Sequence, residues 1–387
     1  PAFEALRTGG HNLPTAPIYN SKPDDLAMIT YTSGTTGLSK GTMYGQEMAI
    51  YFCDSSDWMF GYTADDISYS CLPFFHANAI MCSLIPAMRK GAMSVFSPRF
   101  SASQFWGEVK KYQATVTSLL GSMVPILMSA PPTDSDADNT LRIAQAVPAS
   151  KENFYDFQNR FGIKLFSMYG LSDIGVLVGV PHDIEGRPGK AGIAHPDWEH
   201  LIVDDHGNPV ADGEIGELLI RPKKMNILQL GYWRNPEATV KAWKDLWFHT
   251  GDYLRRDTDG WFEFIDRKKD AMRRFGENIS SYEVELALHK HPAIEEAAVY
   301  AVPAEMSEDE VMACIILKPG HSDMQQDILQ HCETELPYFA VPRYYRFVTE
   351  MERTPTNKIR KDLLRNTGVN EETWDAGPRG RKKRANS

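Results

Sequence analysis

The chain has 387 residues with 41 Lys or Arg against 51 Asp or Glu, a formal net charge of −10. Its hydrophobic fraction of 42% excludes a disordered, collagen-like or small disulfide-stapled protein, and the length predicts two or three domains. The acidic balance argues against nucleic acid as the main partner, and the five cysteines contain no C-x-x-C pair, which excludes a zinc ribbon or dithiol redox site and suits a reducing compartment.

No apolar run approaches the ~18–20 residues of a membrane span. The opening residues PAFEALRTGGHNLP lack the basic start and apolar core of a signal peptide. A cytoplasmic protein without a membrane span is expected, and the missing initiator Met suggests a fragment.

In chain order, 26–30, 67–72, 93–96, 115–120, 141–146 and 164–168 read as strands, and 43–59, 77–90, 102–113 and 151–161 as helices. Strand–helix alternation predicts a parallel sheet covered by helices, and the nearly continuous apolar strands fit burial on both faces. Near Pro196 the texture changes to short strands with turns: 201–203, DDHGNP, 217–220, then 260–265 after RDTDG. That predicts a small antiparallel sheet or barrel. From Lys268 a compact α+β unit is expected. The capping box Ser280–Glu283 opens a helix to about Lys290, followed by strands 297–302 and 311–317, helix 324–335 and strand 344–348. The expected division is 1–195, 196–267, 268–366 and a flexible tail 367–387 with a basic end, RGRKKRANS. A solvated tail is the simpler reading of that cluster, and a targeting or nucleic-acid patch the other.

The segment Tyr31-Thr32-Ser33-Gly34-Thr35-Thr36-Gly37-Leu38-Ser39-Lys40-Gly41 follows a predicted strand. Its glycines let the backbone approach an anion, its hydroxyls add donors and Lys40 adds charge, a combination suited to a polyphosphate. It misses the Walker A pattern twice, with Ser39 where Gly is needed and Gly41 where Ser or Thr would hold Mg²⁺. The histidines show no metal-ligand spacing, and no serine-hydrolase elbow has usable partners.

This run resembles the signature of the adenylate-forming superfamily, which includes acyl-CoA synthetases, peptide-synthetase adenylation domains and firefly-type luciferases; the family usually has Pro at position 39. Six further segments match in the family's order: LPFFHANAI at 72–80, MYGLSD at 168–173, GEIGELLIRP with GYWRNPEAT at 213–239, FHTGD at 248–252, GWFEFIDRKKDAMRRFGENIS at 260–280 and PTNKI at 355–359. The wording of RKKDAMRRFGENISSYEVE is most similar to crotonobetaine/carnitine-CoA ligases and nearby fatty-acyl-CoA ligases.

The resemblance implies an α/β fold: an incomplete large domain, with a parallel sheet plus a small antiparallel β subdomain, followed by a small α+β C-terminal lid. Part of the family's large domain would precede this chain. It also implies the reaction. A small-molecule carboxylic acid attacks the α-phosphorus of ATP to give acyl-adenylate, and the thiol of coenzyme A then takes the acyl group. Such chemistry needs positioning and charge neutralisation above all.

Carried onto this sequence, Thr32, Ser33, Gly34, Thr35, Thr36, Gly37 and Lys40 would hold the β- and γ-phosphates. Ser172, beside Gly170, would bond the α-phosphate, and Asp173 would hold Mg²⁺, its arm one methylene shorter than the family's Glu so that a water can intervene. Asp252 and Arg267 would hold the ribose hydroxyls. Gln145, Ala146 and Val147 would flank adenine with Tyr169. Lys358 would neutralise charge during adenylation, with Asn357 replacing the family's Gly. Lys269 would be the hinge of the lid, Gly276 would line the coenzyme A tunnel and His76 would gate an acyl pocket walled by 121–126 and 174–179. Two alternatives remain open at this point: loading of a carrier-protein thiol, and nucleotide binding with little catalysis.

Overall fold

Short, almost wholly apolar segments alternating with helices build the first sheet. In the computed structural model, which describes residues 19–32, 39–148, 151–275, 277–304, 309–354 and 358–377, five parallel strands stand in the order Met93–Phe96, Ile67–Ser70, Val116–Leu120, Ile143–Val147 and Lys164–Phe166. Neighbours on one strand point to opposite cores. Ile143 and Phe166 pack with Phe52, Met59 and Phe60 of the helix Gln46–Phe60, whereas Ala144 and Leu165 pack with Phe105, Phe154 and Phe161 of the helices Ala102–Tyr112 and Phe154–Phe161. Because both faces are covered, the polar residues on these strands, Ser68, Ser70, Thr117, Ser118 and Gln145, are buried as well.

The chain then changes sheets over one residue, Ser167. Met168–Leu171, Gly175–Gly179 and Gly192–Ala194 enter an eight-stranded antiparallel sheet that continues through Trp261–Arg267, Trp247–Arg256, Ile215–Pro222 and Trp198–Val203, with Trp243–Lys244 on its flank. The helix Gln46–Phe60 is shared between the two sheets, because Val176 and Val180 reach the same cluster as Val116 and Ile143.

The last unit is a four-stranded sheet, Ile294–Pro303, Asp309–Leu317, Tyr344–Phe347 and Thr373–Asp375, with the helices Ser281–His289 and Gln325–Glu335 on one face. The capping box forms: the Ser280 hydroxyl accepts from the Glu283 amide at 3.2 Å. No helix among the described residues is long and apolar enough to cross a membrane.

Several expectations need correcting. The strand at 26–30 is not in the parallel sheet; Leu26–Tyr31 pairs antiparallel with Gly41–Gly45, a strand where helix was expected from 43. A run of five residues, GTMYG, is too short to show period, so the apolar helix behind it masked the boundary. The expected boundary at 195/196 falls inside the eight-stranded sheet. Part of the tail expected to be flexible is ordered: Trp374 packs on Tyr345 at 5.5 Å between ring centres, and Asp375 takes two 2.9 Å bonds from Arg343. The basic cluster beyond 377 lies outside the described residues.

Candidate active site

The phosphate segment sits at the tip of the hairpin Leu26–Tyr31/Gly41–Gly45, whose neck is closed by Thr32 N to Lys40 O at 2.9 Å and Lys40 N to Thr32 Oγ1 at 3.2 Å. Ser33, Gly34, Thr35, Thr36 and Gly37 lie outside the described residues. The outer edge of Gly41–Gly45 is held by 230–233: Met43 N donates to Gly231 O at 3.0 Å and Trp233 N to Gly41 O at 2.7 Å. That pairing places the Tyr232 ring 4.0 Å from the Lys40 ammonium.

Ser172 and Asp173 occupy the tight turn between Met168–Leu171 and Gly175–Gly179. The turn demands glycine at 170, where a Cβ would stand 2.4 Å from the Gly175 carbonyl oxygen. Asp173 is gripped on both oxygens, Oδ1 accepting from the Thr42 hydroxyl at 3.0 Å and Oδ2 from the Tyr232 hydroxyl at 2.6 Å. The Tyr44 hydroxyl donates to the Ser172 carbonyl. Lys40, Ser172 and Asp173 are thus one cluster, and Thr42, Tyr44 and Tyr232 assemble it. Sequence reading assigned nothing to these three. The GYW segment was visible, but nothing in it tells which face its tyrosine takes.

Asp252 and Arg267 are cross-strand partners in register. Asp252 is 1% exposed. Its Oδ2 accepts from the Tyr169 hydroxyl at 2.8 Å, while Oδ1 stands 3.0 Å from Arg267 Nε but accepts no aligned hydrogen bond among the described residues. Burial pushes its carboxyl above the ordinary range; Arg267 and Tyr169 oppose the rise without cancelling it. Tyr169 is buried with its ring stacked on Phe264, 6.0 Å between centres, and burial, then Asp252, drives its own phenol upward. Burial works against the Arg267 charge, yet Asp252 foremost, then Tyr169, Asp270 and Asp173, hold it above its usual range. The influence of Asp173 on Arg267 puts the ribose-side and phosphate-side clusters within electrostatic reach of each other.

From the last unit, Lys358 comes within electrostatic reach of Arg267 and Asp252. Its backbone bonds to Thr354 on both sides of the turn, at 3.1 Å and 2.8 Å. Solvent reaches the side chain, but protein on either side strips part of its water, and burial followed by Arg267 lowers its pKa against the pull of Asp252. Lys358 acts in the same way on His76, whose pKa is lowered by burial first and Lys358 second. Behind Lys358 the lid holds a charged cavity of about 300 Å³, lined by Asp270, Glu285, Glu296, Arg353, Ile359 and Lys361. Lys269 stands at the junction, held at about 8 by burial and by Arg267 and Arg365 in spite of Asp270 and Asp252. Gly276 lies outside the described residues.

Gln145 and Ala146 are placed differently. Both are fully buried with their backbones engaged in the ladder to Ser118 and Leu119. The Gln145 carbonyl oxygen accepts from Ser118 at 2.7 Å and Asn78 at 3.3 Å.

Comparison with known proteins finds relatives in sequence and in fold. Residues 4–233 match the AMP-binding enzyme family and 283–358 the AMP-binding enzyme C-terminal domain. Crotonobetaine/carnitine–CoA ligase of Escherichia coli O157:H7 is 34% identical over 350 residues, 88% of this chain and 66% of the relative. That of Salmonella typhimurium is 33% identical over 351 residues, 88% of this chain and 67% of the relative. The chain therefore spans about two thirds of the length of these relatives. ATP-bound MatB from Rhodopseudomonas palustris superposes with a TM-score of 0.81 at 25% identity, covering 94% of this chain and 72% of MatB. The apo form of MatB, with the same coverage, gives 0.67. An anthranilate CoA ligase in complex with anthranoyl-AMP gives 0.78 at 26% identity, covering 92% and 69%. The chain belongs to the AMP-binding enzyme family.

Proposed function

We propose that the protein is an AMP-forming acid–thiol ligase that activates a small carboxylic acid with ATP and passes the acyl group to the thiol of coenzyme A. The observation that carries this reading is the buried Asp252 beside Arg267, with one oxygen lacking an aligned donor among the described residues, and with Asp173 and Lys358 within electrostatic reach. A carboxylate that is 1% exposed and lacks an aligned donor on one oxygen has capacity for the hydroxyls of a ribose.

In this reading the hairpin tip at 32–37 and Lys40 cradle the β- and γ-phosphates, and Ser172 bonds the α-phosphate. Gly170 permits the turn that presents Ser172. Lys358 neutralises the charge that builds between carboxylate and α-phosphorus as pyrophosphate leaves. A preorganised cation of this kind is worth about 3–4 kcal/mol in a water-poor site. Asp173 fits Mg²⁺ as a hard oxygen donor: each oxygen holds one hydroxyl and keeps lone-pair capacity for a cation or its water. Bound there, Mg²⁺ would supply charge neutralisation on the phosphates. His76, within electrostatic reach of Lys358, would meet the incoming acid. Lys269 lies at the junction of a large domain ending at Arg267 and a lid that runs on through the strand Thr373–Asp375, and Gly276 on that lid would face the pantetheine arm. The better superposition on ATP-bound than on apo MatB supports reading this arrangement as the adenylating one. Work in the cytoplasm follows from the free, buried cysteines.

The test is acid-dependent exchange of labelled pyrophosphate into ATP, with coenzyme A-dependent release of AMP. Exchange with at least one acid in a panel graded by length and charge is expected. No exchange with any of them contradicts the reading.

A further inference from the structure

We propose that Tyr232 is the positioning residue of the phosphate side, holding with one side chain the cation and the carboxylate that address ATP·Mg²⁺. The inference rests on the functional reading above, but its evidence is local. Tyr232 is 3% exposed. Its ring face lies 4.0 Å from the Lys40 ammonium, and its hydroxyl donates to Asp173 Oδ2 at 2.6 Å.

Each contact solves a problem set by the sequence. Lys40 is a point charge on a flexible four-carbon stem and follows a loop rich in glycine; left alone it would sample many rotamers. An aromatic face holds an ammonium without consuming its N–H donors, so all three stay available for phosphate oxygens. Asp173 sits on the three-residue turn 172–174, where a carboxylate could swing toward Lys40 and neutralise it directly. The Tyr232 and Thr42 hydroxyls pin one oxygen each and prevent that collapse. The two contacts also reinforce each other. A phenol donating to a carboxylate has a more electron-rich ring, and such a ring attracts a cation more strongly.

Tyr232 is itself held in place. The backbone of 230–233 forms a third rung beside Gly41–Gly45, with Leu230 N to Met43 O at 2.9 Å and Trp233 N to Gly41 O at 2.7 Å, and Thr42 and Tyr232 are direct bridge partners. The residue that pins Lys40 and Asp173 is thus locked to the strand that carries Lys40 and Thr42.

Two substitutions separate the two contacts. Tyr232→Phe keeps the ring and removes the hydroxyl; Tyr232→Leu removes both. Calorimetric titration of ATP with and without Mg²⁺, alongside thermal melts, reads the result. For Tyr232→Phe, the tightening of ATP binding by Mg²⁺ should fall ~10-fold while metal-free binding stays within about twofold, the size of one hydrogen bond to a charged group. For Tyr232→Leu, metal-free binding should weaken a further ~3–5-fold, as expected for a lost cation–π contact. A merely structural tyrosine would lower the melting temperature and reduce both titrations in the same proportion. That result, or a Tyr232→Phe protein that keeps the full Mg²⁺ effect, overturns the proposal and leaves the functional reading standing. Absence of ATP binding by the unaltered protein overturns both.

Discussion

Two buried aspartates show how this chain treats charge where it builds and where it works. Asp66, at the start of the central parallel strands, is 4% exposed and receives five donors: the Thr63 amide and hydroxyl, the Thr115 hydroxyl, and Arg142 through Nε and Nη2, all between 2.6 and 3.0 Å. Burial alone would raise its pKa, but these bonds hold it at about 2. Asp252 is buried more deeply and, among the described residues, receives only the Tyr169 hydroxyl in good alignment, so its pKa moves the other way. A buried carboxylate that only supports the fold is saturated with donors; one left short has room for a ligand.

The comparison can be broken most sharply from the lid. Lys358→Ala should slow pyrophosphate exchange by ~10²–10³-fold, the usual loss of a preorganised charge. Thioester formation from supplied acyl-adenylate should change little, and the melting temperature should hold. Were Lys358 a support like Asp66, both half-reactions and the melting temperature would fall together.

Asp252→Asn should weaken ATP binding by ~10–30-fold through loss of charge-assisted bonds. It should also raise the melting temperature at neutral pH. The sign follows from the raised pKa: a carboxyl that titrates higher in the folded state favours folding below its unfolded pKa and opposes it once ionised. A lower melting temperature would place Asp252 with Asp66.

Asp66→Asn should do the reverse, leaving ATP affinity intact and costing stability on the order of 2 kcal/mol at pH 7. Because the folded pKa of about 2 lies below the unfolded value of 3.8, the Asp66 contribution is present above pH 4 and disappears as pH falls toward 2. Denaturant melts of both proteins from pH 2 to 7 should therefore converge at the acid end.

The smallest effect concerns Lys269. Its folded pKa of about 8 lies below the ordinary 10.5, so the unfolded chain binds more protons between those values and stability rises with pH across that window. In Lys269→Gln that rise should be missing. An unchanged pH profile would mean that the hinge lysine keeps its full hydration.

Much of this was legible in the sequence. Buried parallel strands show as apolar runs, and the Ser280–Glu283 capping box is local chemistry that packing did not override. Asp252 and Arg267 followed from their segments, and the register brings them together. What escaped notice lies in pairings between distant segments. The strand Gly41–Gly45 forms because 26–31 and 230–233 flank it on two edges, and nothing in GTMYG announces that. Tyr232 reaches Asp173 across 59 positions and Thr42 reaches it across 131. The burial of Gln145 and Ala146 is likewise set by their pairing with Ser118 and Leu119 on the neighbouring parallel strand. The strand Thr373–Asp375 pairs on an edge already built by Asp309–Leu317 and Tyr344–Phe347, so its three residues carry no signal alone.

The central claim is that Asp252 lies short of donors so that a ribose can complete it. Comparing the affinities of ATP and 2′,3′-dideoxy-ATP for the unaltered protein and for Asp252→Asn tests this directly. The account predicts that the unaltered protein prefers ATP by at least ~10-fold and that the variant shows almost no preference. Equal binding of the two nucleotides by the unaltered protein, or an undiminished preference in the variant, would contradict it.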